Sequence, residues 1–253
     1  MIDIYVWFGA ALVGLSLGLL GAGGSILTVP LLVYLAKEPE KLAIIESLFI
    51  VGTVALVASI SHFINRNVSL KETLAFGIPS MFTAYLGAYA AQFVSGQSQM
   101  LVFAVVMILA AGFMLKPKQS CEAPLQVSNA LFVKLLLSGL VVGAVAGFVG
   151  VGGGFLIVPA LILFAGLEIN KAVATSLVII VMQSVAALLK YQEQFSTQDL
   201  VFHWPLVLLI TACAVVGVSG GLVLSKHVPQ PILKKAFAVM LIPFAAFIFV
   251  NNL

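Results

Sequence analysis

The stretch GLLGAGGSILTVP, Gly18 to Pro30, interrupts a long apolar run with four glycines, Gly18, Gly21, Gly23 and Gly24, and then a proline. Glycine and proline are the poorest helix formers, whereas a chain in lipid depends on helix to satisfy its own backbone polar groups. The cluster therefore marks a place where a helix in a membrane-like segment breaks.

The rest of the composition supports the membrane reading. Of 253 residues, 62% are apolar and only 8% charged, and mean hydropathy is +1.20; a soluble domain carries about a quarter charged residues. The chain reads as an all-α polytopic membrane protein whose bulk partner is the lipid bilayer of the plasma or inner membrane. The first apolar run, Ile4 to Leu20, has only Asp3 before it and no basic region, so it reads as a retained segment and not a cleaved signal. The net charge of +3 is spread over loops with no basic patch, which argues against nucleic acid as a partner. Cys121 and Cys213 form no disulfide framework or metal-ligand spacing, and no cofactor or metal is expected.

Apolar segments run over 4–20, 24–36, 42–64, 72–94 and 99–115, and again over 131–149, 153–166, 171–190, 200–225 and 231–250. Between the two series lies KPKQSCEAPLQVSN, Lys116 to Asn129, without periodicity. The second series repeats the first. With a shift of 129, Gly14, Gly18, Gly21, Gly23, Gly24 and Pro30 fall on Gly143, Gly147, Gly150, Gly152, Gly153 and Pro159, and 11 of the 24 positions from Val13 to Ala36 are identical. The register continues through Ala43, Ser47, Leu48 and Ile50, which match Ala172, Ser176, Leu177 and Ile179. The chain divides into a first transmembrane repeat (1–115), a linker (116–130) and a second repeat (131–253). Internal duplication in a membrane protein is the mark of a transporter built from two halves.

Segments 24–36 and 153–166 have 13 and 14 residues, short of the roughly 20 needed to span. If each glycine cluster merely interrupts a span, the 12 basic residues divide six against six across the membrane. If it turns the chain back as a re-entrant hairpin, Lys37, Lys41 and Lys190 face one side and the other nine the opposite side. Cytoplasmic loops collect Lys and Arg, so the hairpin is preferred. It gives each half three full spans, inverts the halves and puts both termini outside the cytoplasm. Eight spans in two parallel halves is the alternative. The second half-helices, starting at Ser25 and Phe155, would open with unpartnered N–H groups and a positive dipole end, which together make an anion site.

These residues resemble the sulfite exporter TauE/SafE family: the paired GAGGSILTVP and GVGGGFLIVP, the Ser-Leu pairs at 47–48 and 176–177, and His62 ahead of NRNVS. The resemblance implies a carrier for small sulfur-containing anions such as sulfite or organosulfonates, often in the export direction. Ser25 in place of Gly154 and Glu46 in place of Thr175 are departures between the repeats.

The expected substrate groups are Gly21, Gly23, Gly24 and Ser25 with Gly150, Gly152, Gly153 and Gly154 at the tips, and Ser47, Thr175, Ser176 and Gln183 along the following spans. Glu46 is a candidate for proton coupling, because an ionisable group in an apolar run is costly and usually functional; Lys41 and Lys37 nearby suggest instead a shallow, solvated carboxylate. His62 could relay protons, and Tyr191, its partner under the 129 shift, reads as an interfacial aromatic. The coupling ion is a proton or sodium. Small-residue faces at Ala10, Gly14 and Gly18, and at Gly139, Gly143 and Gly147, read as helix packing. GVSGG, Gly217 to Gly221, formally satisfies a serine nucleophile pattern, but its twin GAYAA lacks the serine. The reading is therefore a secondary transporter and not an enzyme, working by alternating access, with an anion channel and an intramembrane serine protease as alternatives.

Overall fold

The computed structural model describes residues 4–21, 24–64, 66–115, 129–198, 202–225 and 230–251, so Gly23 and nearly all of the linker lie outside the described residues. Among the described residues, ten α-helices follow the apolar segments: α1 (Ile4–Leu20), α2 (Gly24–Pro30), α3 (Glu40–Ile64), α4 (Leu70–Ala91), α5 (Gly96–Leu115), α6 (Asn129–Val149), α7 (Gly154–Phe164), α8 (Ile169–Gln198), α9 (Trp204–Leu224) and α10 (Gln230–Asn251). After Pro30, α2 widens into a π-helix over Leu31–Leu35, closed by Ala36 N–H donating to Leu31 O at 3.0 Å. Its twin α7 keeps Pro159 inside an ordinary α-helix. Among the described residues, five helices are long and apolar enough to cross a membrane: Glu40–Ile64, Leu70–Ala91, Phe132–Val149, Ile169–Gln192 and Trp204–Leu224.

The glycine clusters do turn the chain back. A Cβ on Gly24, at the start of α2, would lie 2.2 Å from Val13 O and 2.7 Å from Leu17 Cβ, while one on Gly9 would meet Leu31 at 2.5 Å. The short arm therefore runs back along α1. Gly153 repeats this against Val142 and Ala146 of α6. The turns need glycine: Gly21, Gly150, Gly152 and Gly153 have φ of 69°, 75°, 68° and 61°, a region closed to most side chains. The arms are unequal, 17 residues in α1 against 7 in α2, and 21 in α6 against 11 in α7.

The halves interlock. Helix α1 packs on α9 and α6 on α4, both through close-approaching backbones; a Cβ on Gly14 would sit 1.9 Å from Ala214 O, and one on Gly147 1.9 Å from Ala84 O. Helix α5 packs on α10, and α8 crosses both α3 and α4. Helix α8 runs alongside α4 in the same sense: Ser69 N–H meets Thr175 Oγ1, Gly77 meets Ile179 and Met182, and Lys190 lies over Tyr85 and Tyr89. Helix α3 touches α8 at Gly52 and Ser184, then must end near Ser69, beside Thr175. A rise of about 1.5 Å per residue allows that only if α3 runs opposite to α8.

Rocking of one sequence half against the other meets an obstacle here, because α1–α9 and α6–α4 fuse the halves across their boundary. Overpacking a tight interface costs about 1–3 kcal/mol, whereas alanine is roughly 1 kcal/mol better than glycine in an open helix. Gly14→Ala is therefore expected to lower the melting temperature of the purified protein. Gly220→Ala, where a Cβ meets nothing within 4 Å, should melt at or above wild type. Equal melting of the two variants would contradict the close α1–α9 contact.

Candidate functional site

Each hairpin tip ends in a glycine that closes the long arm: Gly21 N–H donates to Leu17 O at 2.7 Å and Gly150 N–H to Ala146 O at 2.9 Å. The free carbonyl of each glycine is then taken by a serine from the opposite repeat. Ser47 Oγ on α3 donates to Gly150 O at 2.6 Å, and Ser176 Oγ on α8 donates to Gly21 O at 3.2 Å. Both hydroxyls also lean on their own helix, at Ile44 O (2.7 Å) and Val173 O (2.8 Å). The same helices hold the tips by shape, since Ile44 packs on Gly150 and Val173 on Gly21. The sequence suggested these serines as donors to an anion; the structure gives their protons to carbonyls. A buried carbonyl left without its donor costs about 1–3 kcal/mol, so the two serines fix the tips.

Beyond the clamp, the second tip reaches the middle of the bundle. Gly152 lies against Val51, Ile180 and Ser184, and a Cβ on Gly153 would be 2.9 Å from Gln183 Oε1. Gln183 is 1% exposed and Ser184 fully buried, and neither the Gln183 amide atoms nor Ser184 Oγ has a hydrogen-bond partner. Facing them is the start of α7, whose first turn bonds come from Leu156 and Ile157 N–H to Gly153 O, with Gly154 buried at its head. Unpartnered buried polar groups are rare and call for an explanation. The first repeat does not match this pair: under the 129 shift, Gln183 and Ser184 correspond to Val54 and Ala55, which have no polar side-chain atom. Gly24 and Ser25 are buried in the first turn of α2, Ser25 within a polar contact of its own.

Glu46 and Thr175, twins under the shift, share a different task. Glu46 Oε1 accepts the N–H of His203, which precedes α9, at 3.1 Å. Thr175 Oγ1 accepts the N–H of Ser69, which precedes α4, also at 3.1 Å. The shallow, solvated reading of Glu46 is corrected by its complete burial; the start of α9 covers it, and Phe49, Phe202 and Trp204 pack edge to face beside it. Two partners outside the expected site residues join it. Glu38 is presented by a left-handed turn at Lys37 (φ 58°), matched by Gly166 (φ 64°) in the second repeat. His203 Nδ1 meets Glu38 Oε1 at 2.7 Å. In the sequence His203, within FHWP at 202–205, is only a weaker histidine candidate than His62.

Other expectations change. Tyr191 is 2% exposed, not interfacial, and donates to Gly147 O at 3.2 Å while Gln99 approaches its hydroxyl. His62 lies in the last turn of α3, half-buried, its Nε2 without a hydrogen-bond partner. Ser219 of GVSGG sits on the exposed face of α9 and bonds back to Val215 O, while Gly217 and Gly221 pack on α1.

The Glu38 hydrogen bond, aided by its charge, raises the His203 pKa above the ordinary histidine value. The pair therefore stabilises fully below that ordinary value, and its contribution fades as pH climbs through the raised one. Because the His203 side chain is 54% exposed, the effect is small. Melting temperature is expected to fall slightly across that window in wild type and to lose this component in Glu38→Gln; an identical slope in both would contradict the pairing.

Comparison with known proteins agrees with the family resemblance seen in the sequence. The family described as "Sulfite exporter TauE/SafE" matches residues 6–248. A "Probable membrane transporter protein" of Xylella fastidiosa is 30% identical over 246 residues, covering 94% of this chain and 91% of that protein. The "Probable membrane transporter protein YdhB" of Bacillus subtilis is 27% identical, covering 93% and 94%. "Sulfite exporter TauE/SafE family protein 6" of Arabidopsis thaliana is 30% identical over 124 residues, 49% of this chain and 28% of that one. No solved structure is a significant match. Full-length likeness to relatives named as transporters, with five apolar helices able to span a bilayer, makes this chain a multi-pass membrane transporter of the sulfite exporter TauE/SafE family.

Proposed function

We propose that the chain moves small sulfur-containing anions, such as sulfite or an organosulfonate, and holds them at the second hairpin tip. The observation that carries the reading is the set of buried, unpartnered groups of Gln183 and Ser184 beside the head of α7. A helix N-terminus offers N–H donors and a positive dipole end to an anion, and the glycines at 152 and 153 let Ser184 and Gln183 come up to the tip without a Cβ between. Gln183 and Ser184 add donors from α8. Neutral donors hold an anion without the grip of a full buried ion pair, which suits a site that must also release it. The α2 arm approaches α7 from the other repeat, so Gly21, Gly24 and Ser25 would close the site from the far side.

Access alternates, in this reading, by movement of the α1–α9 pair relative to the α4–α6 pair, not of one sequence half against the other. The α3–α8 crossing is the pivot, and the two serine clamps keep each tip attached to it. The opposed directions of α3 and α8 support treating the repeats as inverted, with each short arm entering from its own face of the membrane. The driving gradient would be of protons or sodium ions.

Thermal melting of the detergent-purified protein tests the site, with sulfite, sulfoacetate, thiosulfate, sulfate and chloride at constant ionic strength. A ligand at about 100 times its dissociation constant stabilises by roughly 2.7 kcal/mol. Sulfite or sulfoacetate should raise the melting temperature where chloride does not, and Gln183→Leu, which fills the same space without donors, should abolish the shift. A shift that survives in Gln183→Leu would place the anion elsewhere.

A further inference from the structure

We infer that Glu46, together with Glu38 and His203, forms a proton-binding site that opens to water through His203 and is coupled to the second hairpin tip through Ser47. The coupling rests on the transport reading above; the proton site does not.

The comparison of the twins carries the argument. Capping the next helix of the opposite repeat needs only one acceptor, and the Thr175 hydroxyl supplies it to Ser69 at 3.1 Å. Glu46 makes the same contact to His203 N–H with Oε1, which leaves Oε2 buried and without a partner. The residue is fully buried in a helix of span length and apolarity, where an unpaired ionised oxygen is costly. A proton on that carboxyl removes the charge. A second carboxylate stands beside it: ligand atoms of Glu38, Glu46 and His203 all lie within 4.8 Å of one another. Two carboxylates this close do not readily ionise together, so the pair is suited to share one proton.

The route to water is on the same cluster. The His203 side chain is 54% exposed and its Nδ1 meets Glu38 Oε1 at 2.7 Å. A proton taken from water at the outer imidazole nitrogen is balanced by passage of the Nδ1 proton to Glu38, and the reverse sequence returns it; no electrons change hands. The surrounding elements bring few competing charges. Glu38 and His203 are the charged groups that act on Glu46; α2 and α5 contain no charged residue, and Lys37, Glu40 and Lys41 flank the cluster along the chain. On α8, Lys190 is engaged with Tyr85 and Tyr89. The link to transport is covalent: Ser47, the next residue, holds Gly150 O at 2.6 Å, so a shift of Glu46 between charged and neutral forms acts on the clamp of the second tip.

Infrared difference spectroscopy on the purified full-length protein reads the site without any substrate. Wild type should show a carboxylic acid C=O band that titrates with pH. Glu46→Gln and Glu46→Thr, the latter copying the twin's cap and checked for folding by melting, should lose it. His203→Gln should keep the band but slow its response to a pH jump. In proteoliposomes, uptake of radiolabelled sulfite or sulfoacetate should follow an imposed pH gradient in wild type, and whatever uptake Glu46→Thr retains should not. A titrating band that persists in folded Glu46→Thr overturns the proton site. A lost band with uptake still following the gradient overturns the coupling. Absence of uptake by wild type overturns the substrate reading and the coupling with it, while the infrared result still decides the proton site.

Discussion

Two hydroxyl-to-carbonyl hydrogen bonds organise this molecule. Ser47 holds the carbonyl of Gly150, and Ser176 holds that of Gly21, so each hairpin tip is fixed by a helix of the other repeat. The tips require this. A chain that reverses inside an apolar bundle leaves carbonyls that no helix satisfies, and in lipid no water replaces the partner. Left-handed glycines make the reversal sterically possible; the serines make it affordable in a dry interior.

The same exchange explains why the repeats cannot be separated. Glycine-lined contacts bind α1 to α9 and α6 to α4, and the residue before α9 is capped by Glu46 as the residue before α4 is capped by Thr175. Symmetry of this kind yields two equivalent frames, and the two proposed sites lie where the frames differ. Gln183 and Ser184 against Val54 and Ala55 make one tip polar, and Glu46 against Thr175 makes one cap acidic. The polar tip and the acidic cap meet at one place, because Ser47 follows Glu46 and clamps the tip that Gln183 faces.

Much of the frame was legible in the sequence because its signals are local. Apolar runs and Gly/Pro punctuation mark most helix ends to within a few residues, although α8 runs on past the expected 190 to Gln198, and the length of 24–36 with the uneven placing of lysines pointed to a hairpin, which the packing of Gly24 on Val13 and Leu17 now shows. What was not legible depends on where side chains go across the bundle. The repetition of Ser47 and Ser176 singled them out, yet an acceptor 103 residues away leaves no trace in spacing. Lys37 and Lys41 made Glu46 look shallow, because nothing near it in sequence says that α9 starts on top of it. Tyr191 looked interfacial from its place near a span end, but a neighbouring helix closes over it. Glu38 and His203 carried no motif, since a cluster assembled from a turn, a span and a helix start has no sequence pattern.

The central claim is that the tip held by Ser47 is the one that binds the anion. The direct test compares sulfite affinity, by calorimetric titration of the purified protein, in Ser47→Ala and Ser176→Ala. The account predicts that releasing Gly150 weakens binding more than releasing Gly21, because only the second tip faces Gln183 and Ser184. Equal losses, or a larger loss in Ser176→Ala, would contradict it.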